Sequence, residues 1–361
     1  MKRFTKIAQI VAMSIMLTGG SAIALAAGQT VSLPLDPLGQ PEWQVMASGY
    51  GGKLLLSDSP EMVPADGITY QDVVQGNARL FFHHVNDTKI DKRIAVVFRN
   101  QGDQPAKITV YQKGISGPGY NYLDIGKSVQ TQYMKGLDIQ NLTVPAHGQV
   151  SLVDTVVKPN MLLNGMFDFT SDQPVLVSVM MLPKDMSIKR FLSRANVLPA
   201  DQYRLRGTFD GRDRLFIPGK VYDAATDGPV VLTLADNKID QYLWGIDATD
   251  GSRVQNYGNY GVVYKLFLPS EHADKLSVYL NPRGGEYAGA MGVKYRHVTE
   301  SPVNTPADRL SIGGRTEDGQ ASYVGTYDAG QSLWLTFSPP GASNLPVKLL
   351  IVPEQETSTA K

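Results

Sequence analysis

The chain has 361 residues, 42% of them hydrophobic and 19% charged, with 34 cationic against 34 acidic side chains and no cysteine. That composition excludes a disordered tail, a collagen-like rod and a disulfide-stapled miniprotein. The balanced charge gives no electrostatic basis for binding nucleic acid or anionic lipid, and without thiolates there is neither a disulfide nor a cysteine zinc site, so burial and sheet hydrogen bonds must hold the fold.

In chain order, Lys2, Arg3 and Lys6 precede an apolar stretch from Ile7 to about Leu17, followed by Gly19-Gly20 and Ala24-Leu25-Ala26. This is the pattern of a secretory signal peptide, residues 1–26, cleaved before Ala27. With no lipoprotein cysteine and with Lys2-Arg3 instead of a twin arginine, it predicts a Sec-type bacterial route to the cell envelope, periplasm or exterior. Its removal takes away three cations and no anion, leaving 335 residues with 31 cationic and 34 acidic side chains. No later stretch approaches the roughly 18 consecutive apolar residues of a membrane-spanning helix, so no transmembrane span is expected in the mature chain. At about 150 residues per domain, its length predicts two domains.

From Lys53 onward, short alternating apolar runs are separated by Gly, Pro, Asn and Asp, which predicts strands and turns. Residues 93–99 (RIAVVFR) and 106–113 (AKITVYQK) read as two strands about a turn, and residues 150–157 and 175–182 as two more, the last apolar on both faces. Gly117-Pro118-Gly119 reads as a tight loop. After it, Ile125, Val129 and Tyr133 at i, i+4, i+8 predict a short helix ending at Gly136. Ile188, Phe191, Leu192 and Ala195, with Lys189, Arg190 and Arg194 opposite, predict an amphipathic connector between Pro183 and Pro199. Downstream, Val230, Leu232 and Leu234 share one strand face, as do Val262, Tyr264, Leu266 and Leu268, and Leu333, Leu335 and Phe337; residues 347–352 read as a closing strand. Without intervening helices or a fixed-period repeat, the chain is read as all-β. The expected architecture is two antiparallel β-sandwich domains, Ig-like or jelly-roll-like, at residues 27–198 and 199–353, with a short connecting helix and a polar tail at 354–361.

Catalytic and metal spacings are missing. His83 and His84 are adjacent, so on a regular strand they face opposite ways and cannot share an ion, while His147, His272 and His297 stand alone. No metal or cofactor is expected. Gly114-Ile115-Ser116-Gly117 is not a GxSxG elbow, and Asp247-Ala248-Thr249-Asp250-Gly251 lacks calcium-loop spacing and reads as a turn. Among the eight glutamates, Glu286 in residues 281–292 (NPRGGEYAGAMG) is the best placed for acid–base work, against the alternative of a hairpin loop.

The distinctive feature is aromatic density. Seven of the 17 tyrosines, with Trp244, fall between residues 242 and 295. Tyr257-Gly258-Asn259-Tyr260-Gly261 reads as a glycine-rich turn able to display a ring to a sugar. The candidate binding residues are Trp244, Tyr257, Tyr260, Arg283 and Tyr287, against the alternative that these tyrosines pack in strands.

Residues 55–60 (LLSDSP), 67–76 (GITYQDVVQG), 80–86 (LFFHHVN) and 93–102, with the Gly-Pro-Gly segment, resemble uncharacterised exported β-rich proteins of Gram-positive-type bacteria, some labelled copper-amine-oxidase-like. The resemblance covers the first predicted domain and implies no activity. An oxidase would need Asn-Tyr-Asp or Asn-Tyr-Glu, whereas here Asn121-Tyr122 precedes Leu123 and Asn256-Tyr257 precedes Gly258; the copper-ligand histidine pair is absent too. The expected function is that of a non-catalytic exported envelope or extracellular protein, binding cell-wall or extracellular polysaccharide or an envelope protein through aromatics of the second domain. The alternatives are a carbohydrate-active hydrolase using Glu286 with Asp247 or Asp250, and a structural spacer or assembly module.

Overall fold

The structure, a computed structural model, describes residues 25–33, 35–272, 274–308 and 320–354. Most of the expected leader and the polar tail beyond residue 354 therefore lie outside the described residues. Strands dominate, in three large sheets and one two-stranded ribbon.

The eleven-stranded sheet is built on two long strands, Gly67–Asn86 and Leu162–Pro183, paired antiparallel from Leu162↔Val85 to Met181↔Gly67. Strands of 20 and 22 residues are far longer than usual. Register shifts at Ser171/Val175 and Val179/Met180 bend the pair. The bend lets Leu162–Pro183 serve two layers: its first half pairs with Ala106–Gly119 and its second half with Lys92–Arg99. Residues 175–182, expected as a separate strand, are thus the second half of this one. Leu80, Phe82, Val96, Phe98, Val110 and Phe169 pack between the layers.

The seven-stranded sheet runs Val45–Tyr50, Asp213–Pro218, Val263–Phe267, Leu333–Phe337, Gly289–Tyr295 and Val298–Thr299, with Val303–Thr305 beside Gly289–Tyr295. The five-stranded sheet runs Thr30–Ser32, Gln320–Asp328, Lys275–Pro282, Val347–Glu354 and Val230–Leu234. Leu266, Leu335 and Val293 from the former and Val278, Leu349 and Leu232 from the latter share one core. Val31, with Leu25 and Leu33, packs on Val231, Tyr279, Tyr323 and Leu350, which is why Val230–Leu234 is buried on both faces instead of one.

Hydrogen-bonded pairing crosses residue 198 in both directions. Arg206–Asp210 joins Lys53–Ser57 in the eleven-stranded sheet, while Thr30–Ser32 and Val45–Tyr50 pair with Gln320–Asp328 and Asp213–Pro218. The expected division near residue 198 does not coincide with a division between sheets. Nor are the sheets purely antiparallel: Lys53–Ser57 runs parallel to Gly67–Asn86, and Asp213–Pro218 parallel to Val263–Phe267. Periodicity within a strand carries no information about the direction of its neighbour, so this feature was invisible in the sequence.

Two helices are present among the described residues. Tyr122–Met134 is capped by Asn121, whose side chain accepts from Asp124 N–H, and stops just before Gly136 at φ +102°. Its buried face is Ile125, Val129 and Tyr133, as the spacing predicted. Gly126 and Gly114 bring it close to its neighbours: a Cβ at Gly126 would stand 2.0 Å from the Gly341 carbonyl oxygen, and one at Gly114 2.1 Å from that of Val129. The expected loop at Gly117-Pro118-Gly119 is instead the end of strand Ala106–Gly119, where Gly119 pairs with Leu162. The connector is the single-turn helix Ile188–Leu192, with Ile188 and Phe191 buried.

Candidate functional site

At one edge of the eleven-stranded sheet, Trp244–Ile246 and Arg253–Gln255 form a short antiparallel hairpin on Arg206–Asp210. Asp247 builds its turn: Oδ1 accepts from the Thr249 N–H and hydroxyl, and the backbone carbonyl accepts from Gly251 N–H. The Arg206 guanidinium fixes this turn to the sheet through a 2.7 Å bond to Asp247 Oδ2, with both side chains buried. Gly245 allows the close seating, since a Cβ there would meet Phe209 Cδ1 at 2.5 Å.

Alternation then sorts the hairpin into two faces. Val254 is buried, whereas Trp244 and Ile246 are about half exposed, and the Arg253 Cζ lies 4.2 Å from the Trp244 ring centroid. Beside Trp244 is a groove of about 330 Å³ whose polar lining comes from Lys53, Asp72, Thr208, Asp210 and Arg253. Thr208 donates its hydroxyl to Asp72 Oδ2 at 2.6 Å and shares a 2.7 Å hydrogen bond with the Tyr70 hydroxyl. Lys53 and Asp210 form an exposed pair at 3.5 Å. An apolar ring flanked by donors and acceptors of both signs is a surface on which a polar ring compound can stack and be hydrogen-bonded.

Of the residues singled out in the sequence, Trp244 and Tyr257 are exposed on this hairpin and the segment after it. Tyr257 packs edge-on against Tyr242, with centroids 6.0 Å apart. The remaining three do not join them in one display. The Tyr260 hydroxyl donates to the Ser343 carbonyl at 2.7 Å, its ring lies 6.4 Å from Phe81, and burial pushes its phenol pKa up. Tyr287 is fully buried, so its ring belongs to the core, which corrects its reading as a displayed aromatic. Arg283 is half-buried in a turn anchored by its N–H to the Pro346 carbonyl. Tyr264 is buried as well, donating to Asp240 Oδ2 at 2.6 Å. Much of the aromatic density is therefore packing, because a tyrosine facing the core of a strand needs only one partner for its hydroxyl. Arg253 was missed; it stands opposite Ile246, on the same hairpin face as Trp244, and reaches the indole diagonally, which needed the strand register to be known. Lys53 and Asp72 arrive by long-range pairing and carried no local signal.

The two aspartates of the hydrolase reading are engaged elsewhere. Asp247 is fully buried under Arg206 and cannot face a partner across a sugar. Asp250 pairs with Arg204 at the surface and is held down to about 2, first by Ser252 and then by Arg204. Glu286 is exposed on its turn, with its carbonyl accepting from Asn344 N–H.

Four of the five histidines have side-chain partners, His147 among them at 2.8 Å from Asp103. His84 is fully buried, with Nε2 2.8 Å from Ser57 Oγ and Nδ1 3.0 Å from the Pro60 carbonyl, and burial lowers its pKa to about 3. Donation from Nδ1 to that carbonyl leaves Nε2 as acceptor, so the ring is neutral. His83 lies 3.1 Å from Asp58 and 3.8 Å from Glu61. Burial pushes Asp58 up to about 6 against the pull of His83; burial also opposes the His83 charge, but Asp58 and Glu61 outweigh it and raise its pKa. His272, read as standing alone, lies 3.1 Å from Asp223, and the ligand atoms of Asp223, Glu271 and His272 fall within 4.8 Å of one another.

No family model matches the chain, and no curated protein matches it. Among solved structures it is similar to the PBSX exported protein XepA, at 9% identity over 80% of this chain and 86% of that one, with a TM-score of 0.18. It is also similar to YhaK from Escherichia coli, at 11% identity over 86% and 94%, TM-score 0.15. A cupin 2 conserved barrel domain protein from Leptotrichia buccalis gives 7% identity over 92% and 100%, TM-score 0.15. Likeness at these scores carries no functional argument. No helix among the described residues is long and apolar enough to cross a membrane.

Proposed function

We propose that this chain is an exported, non-catalytic protein of the sandwich type, Ig-like or jelly-roll-like, that binds extracellular or cell-wall polysaccharide through the Trp244 hairpin. The observation that carries this reading is the half-exposed Trp244 ring backed by Arg253 and bordered by the polar groove of Lys53, Asp72, Thr208 and Asp210. Tyr257 extends the aromatic surface along the chain, with Tyr242 behind it. The hydrolase reading has less support, since of the two aspartates it could pair with Glu286, Asp247 is buried against Arg206 and Asp250 is paired with Arg204. A shallow groove of this size supports weak binding, on the order of micromolar to millimolar, strengthened in use by repetition along a polymer.

The test is binding of the mature protein to a panel of cell-wall and host polysaccharides, comparing wild type with Trp244→Ala and Tyr257→Ala. Binding that falls about tenfold or more in Trp244→Ala supports the site. Polysaccharide binding unchanged in both variants removes the site, and absence of binding to every polysaccharide removes the function. Capture of an envelope protein instead would transfer the hairpin to a protein partner.

A further inference from the structure

A second surface is built on different residues. Three neighbouring strands of the seven-stranded sheet, Val263–Phe267, Leu333–Phe337 and Gly289–Tyr295, send Leu266, Leu335 and Val293 into the core and turn the alternate side chains away from it. The register places Lys265, Thr336 and Gly292 in one row and Phe267, Trp334 and Lys294 in the next. The Phe267 and Trp334 rings stack with centroids 4.7 Å apart and planes 29° from parallel. Gly292 leaves room above the sheet, and Met134 closes it from the side, its sulfur 3.2 Å from where a Cβ would stand. The result is a cleft of about 360 Å³, to which Gln112, Met134 and Gly136 contribute a wall from the other half of the chain.

The cleft is cationic without internal compensation. Lys265 Nζ reaches only the Thr336 hydroxyl, at 3.2 Å, and among the described residues neither Lys265 nor Lys294 forms an ion pair. Burial is the largest influence on the Lys265 ammonium and draws its pKa down, with Lys294 and Arg79 acting in the same sense and Asp213 and Asp168 against it. A half-buried ammonium held by one neutral hydroxyl is under-solvated, and a fixed anion placed beside it gains more than it would at an open surface. On a spacing of about 4.8 Å between strands and 3.4 Å per residue, the two lysine Cα atoms lie roughly 12 Å apart on a diagonal. The Trp334 ring lies beside that diagonal, and both flexible stems can turn their charges towards a ligand resting on it.

We propose that this cleft binds an anionic saccharide, the sugar ring stacked on Trp334 and its acidic group held between Lys265 and Lys294. The inference rests on these residues and not on the Trp244 hairpin. The shared chemistry is a fixed negative charge on a sugar ring, supplied as the carboxylate of a uronic acid or as a sulfate ester.

Calorimetric titration of the mature chain with oligogalacturonate, with its methyl ester, and with dextran sulfate against dextran tests the proposal. The charged member of at least one pair should bind about tenfold or more tightly than its neutral counterpart, and added salt should weaken it. Lys294→Gln, an exposed substitution that leaves the fold intact, and Lys265→Gln should each weaken that binding several-fold, with thermal melting as the control for folding. Binding in the carboxylate pair alone assigns a uronate ligand, and in the sulfate pair alone a sulfated one. Equal affinity for charged and neutral partners, no binding to any of the four, or binding untouched in Lys294→Gln would overturn it. Trp244→Ala should leave it unchanged, so failure of the hairpin reading and failure of this one are separable.

Discussion

Arg79 is the place to test how the chain is held together across residue 198. Its guanidinium is 1% exposed, and all five of its N–H groups have acceptors. Nε and Nη2 clamp the two oxygens of Asp168 at 2.6 and 2.9 Å, and Nη2 also reaches the Tyr133 hydroxyl at 2.8 Å. Nη1 donates to the carbonyls of Arg212 at 2.8 Å and Gly261 at 3.1 Å, and lies 2.9 Å from Asp213 Oδ1. Arg79→Met keeps most of the volume but leaves Asp168 almost completely buried, with the Tyr133 hydroxyl and Arg212 at 3.5 Å as its remaining partners. Stripping one member from a buried ion pair costs about 3–5 kcal/mol. At about 2–4 °C per kcal/mol for a large domain, the melting temperature should fall by roughly 10 °C. Denaturant titration and calorimetry on wild type, Arg79→Met and the double variant Arg79→Met with Asp168→Leu give the assay. The double variant should recover part of the loss, because it removes the stranded charge as well as its partner. Arg93→Ala, which breaks the more exposed pair with Asp154, should cost no more than about 1 kcal/mol. Arg79→Met within 1 kcal/mol of wild type, or a double variant no more stable than the single, would refute the reasoning.

Two further outcomes follow from local geometry. Gly126→Ala should destabilise the protein by about 1–3 kcal/mol through overpacking, since its Cβ would stand 2.0 Å from the Gly341 carbonyl oxygen, although Ala is otherwise about 1 kcal/mol better than Gly inside a helix; a higher denaturation midpoint for Gly126→Ala would show that the contact relaxes freely. Asp58, pushed up to about 6, keeps in the folded state a proton that the unfolded chain releases near pH 4, and His83 is likewise raised, so both contributions to stability are present in acid and lost as pH rises. The stability of wild type relative to Asp58→Asn should therefore decline between pH 4 and 7 in chemical denaturation; a difference that grows with pH would contradict it.

What the sequence shows is whatever repeats at short range. Ile125, Val129 and Tyr133 mark the buried face of Tyr122–Met134 because a helical period is written within three turns. The alternation of Leu333, Leu335 and Phe337 likewise fixes which way that strand turns. Placing Val262, Tyr264, Leu266 and Leu268 on one face already committed Tyr264 to the core, against the reading that aromatic density there means display. The fully buried Tyr287 had no such periodic neighbour to betray it, and glycines on both sides of it suggested an open turn. Trp244 was legible as a candidate, but its groove needed the pairing of Thr208 with Leu55 to bring Lys53 and Asp72 alongside.

The same limit governs the cationic cleft. Once Leu333, Leu335 and Phe337 face inward, Trp334 and Thr336 must face outward, and the parity of Leu266 does the same for Lys265 and Phe267. Half of the cleft was thus implied by the core positions, as the complement of what they exclude. The other half is register: only the pairing of Lys294 with Trp334 and of Lys265 with Thr336 puts two ammoniums, neither in an ion pair among the described residues, around one indole. A slip of one residue in either pairing would turn a lysine into the core, where an unpaired charge is costly, so the packing of Leu266, Leu335 and Val293 also sets the geometry of the cleft. Substitutions that preserve those three apolar positions should leave the anion site standing, and a change that shifts their register should abolish the cleft and the sheet together.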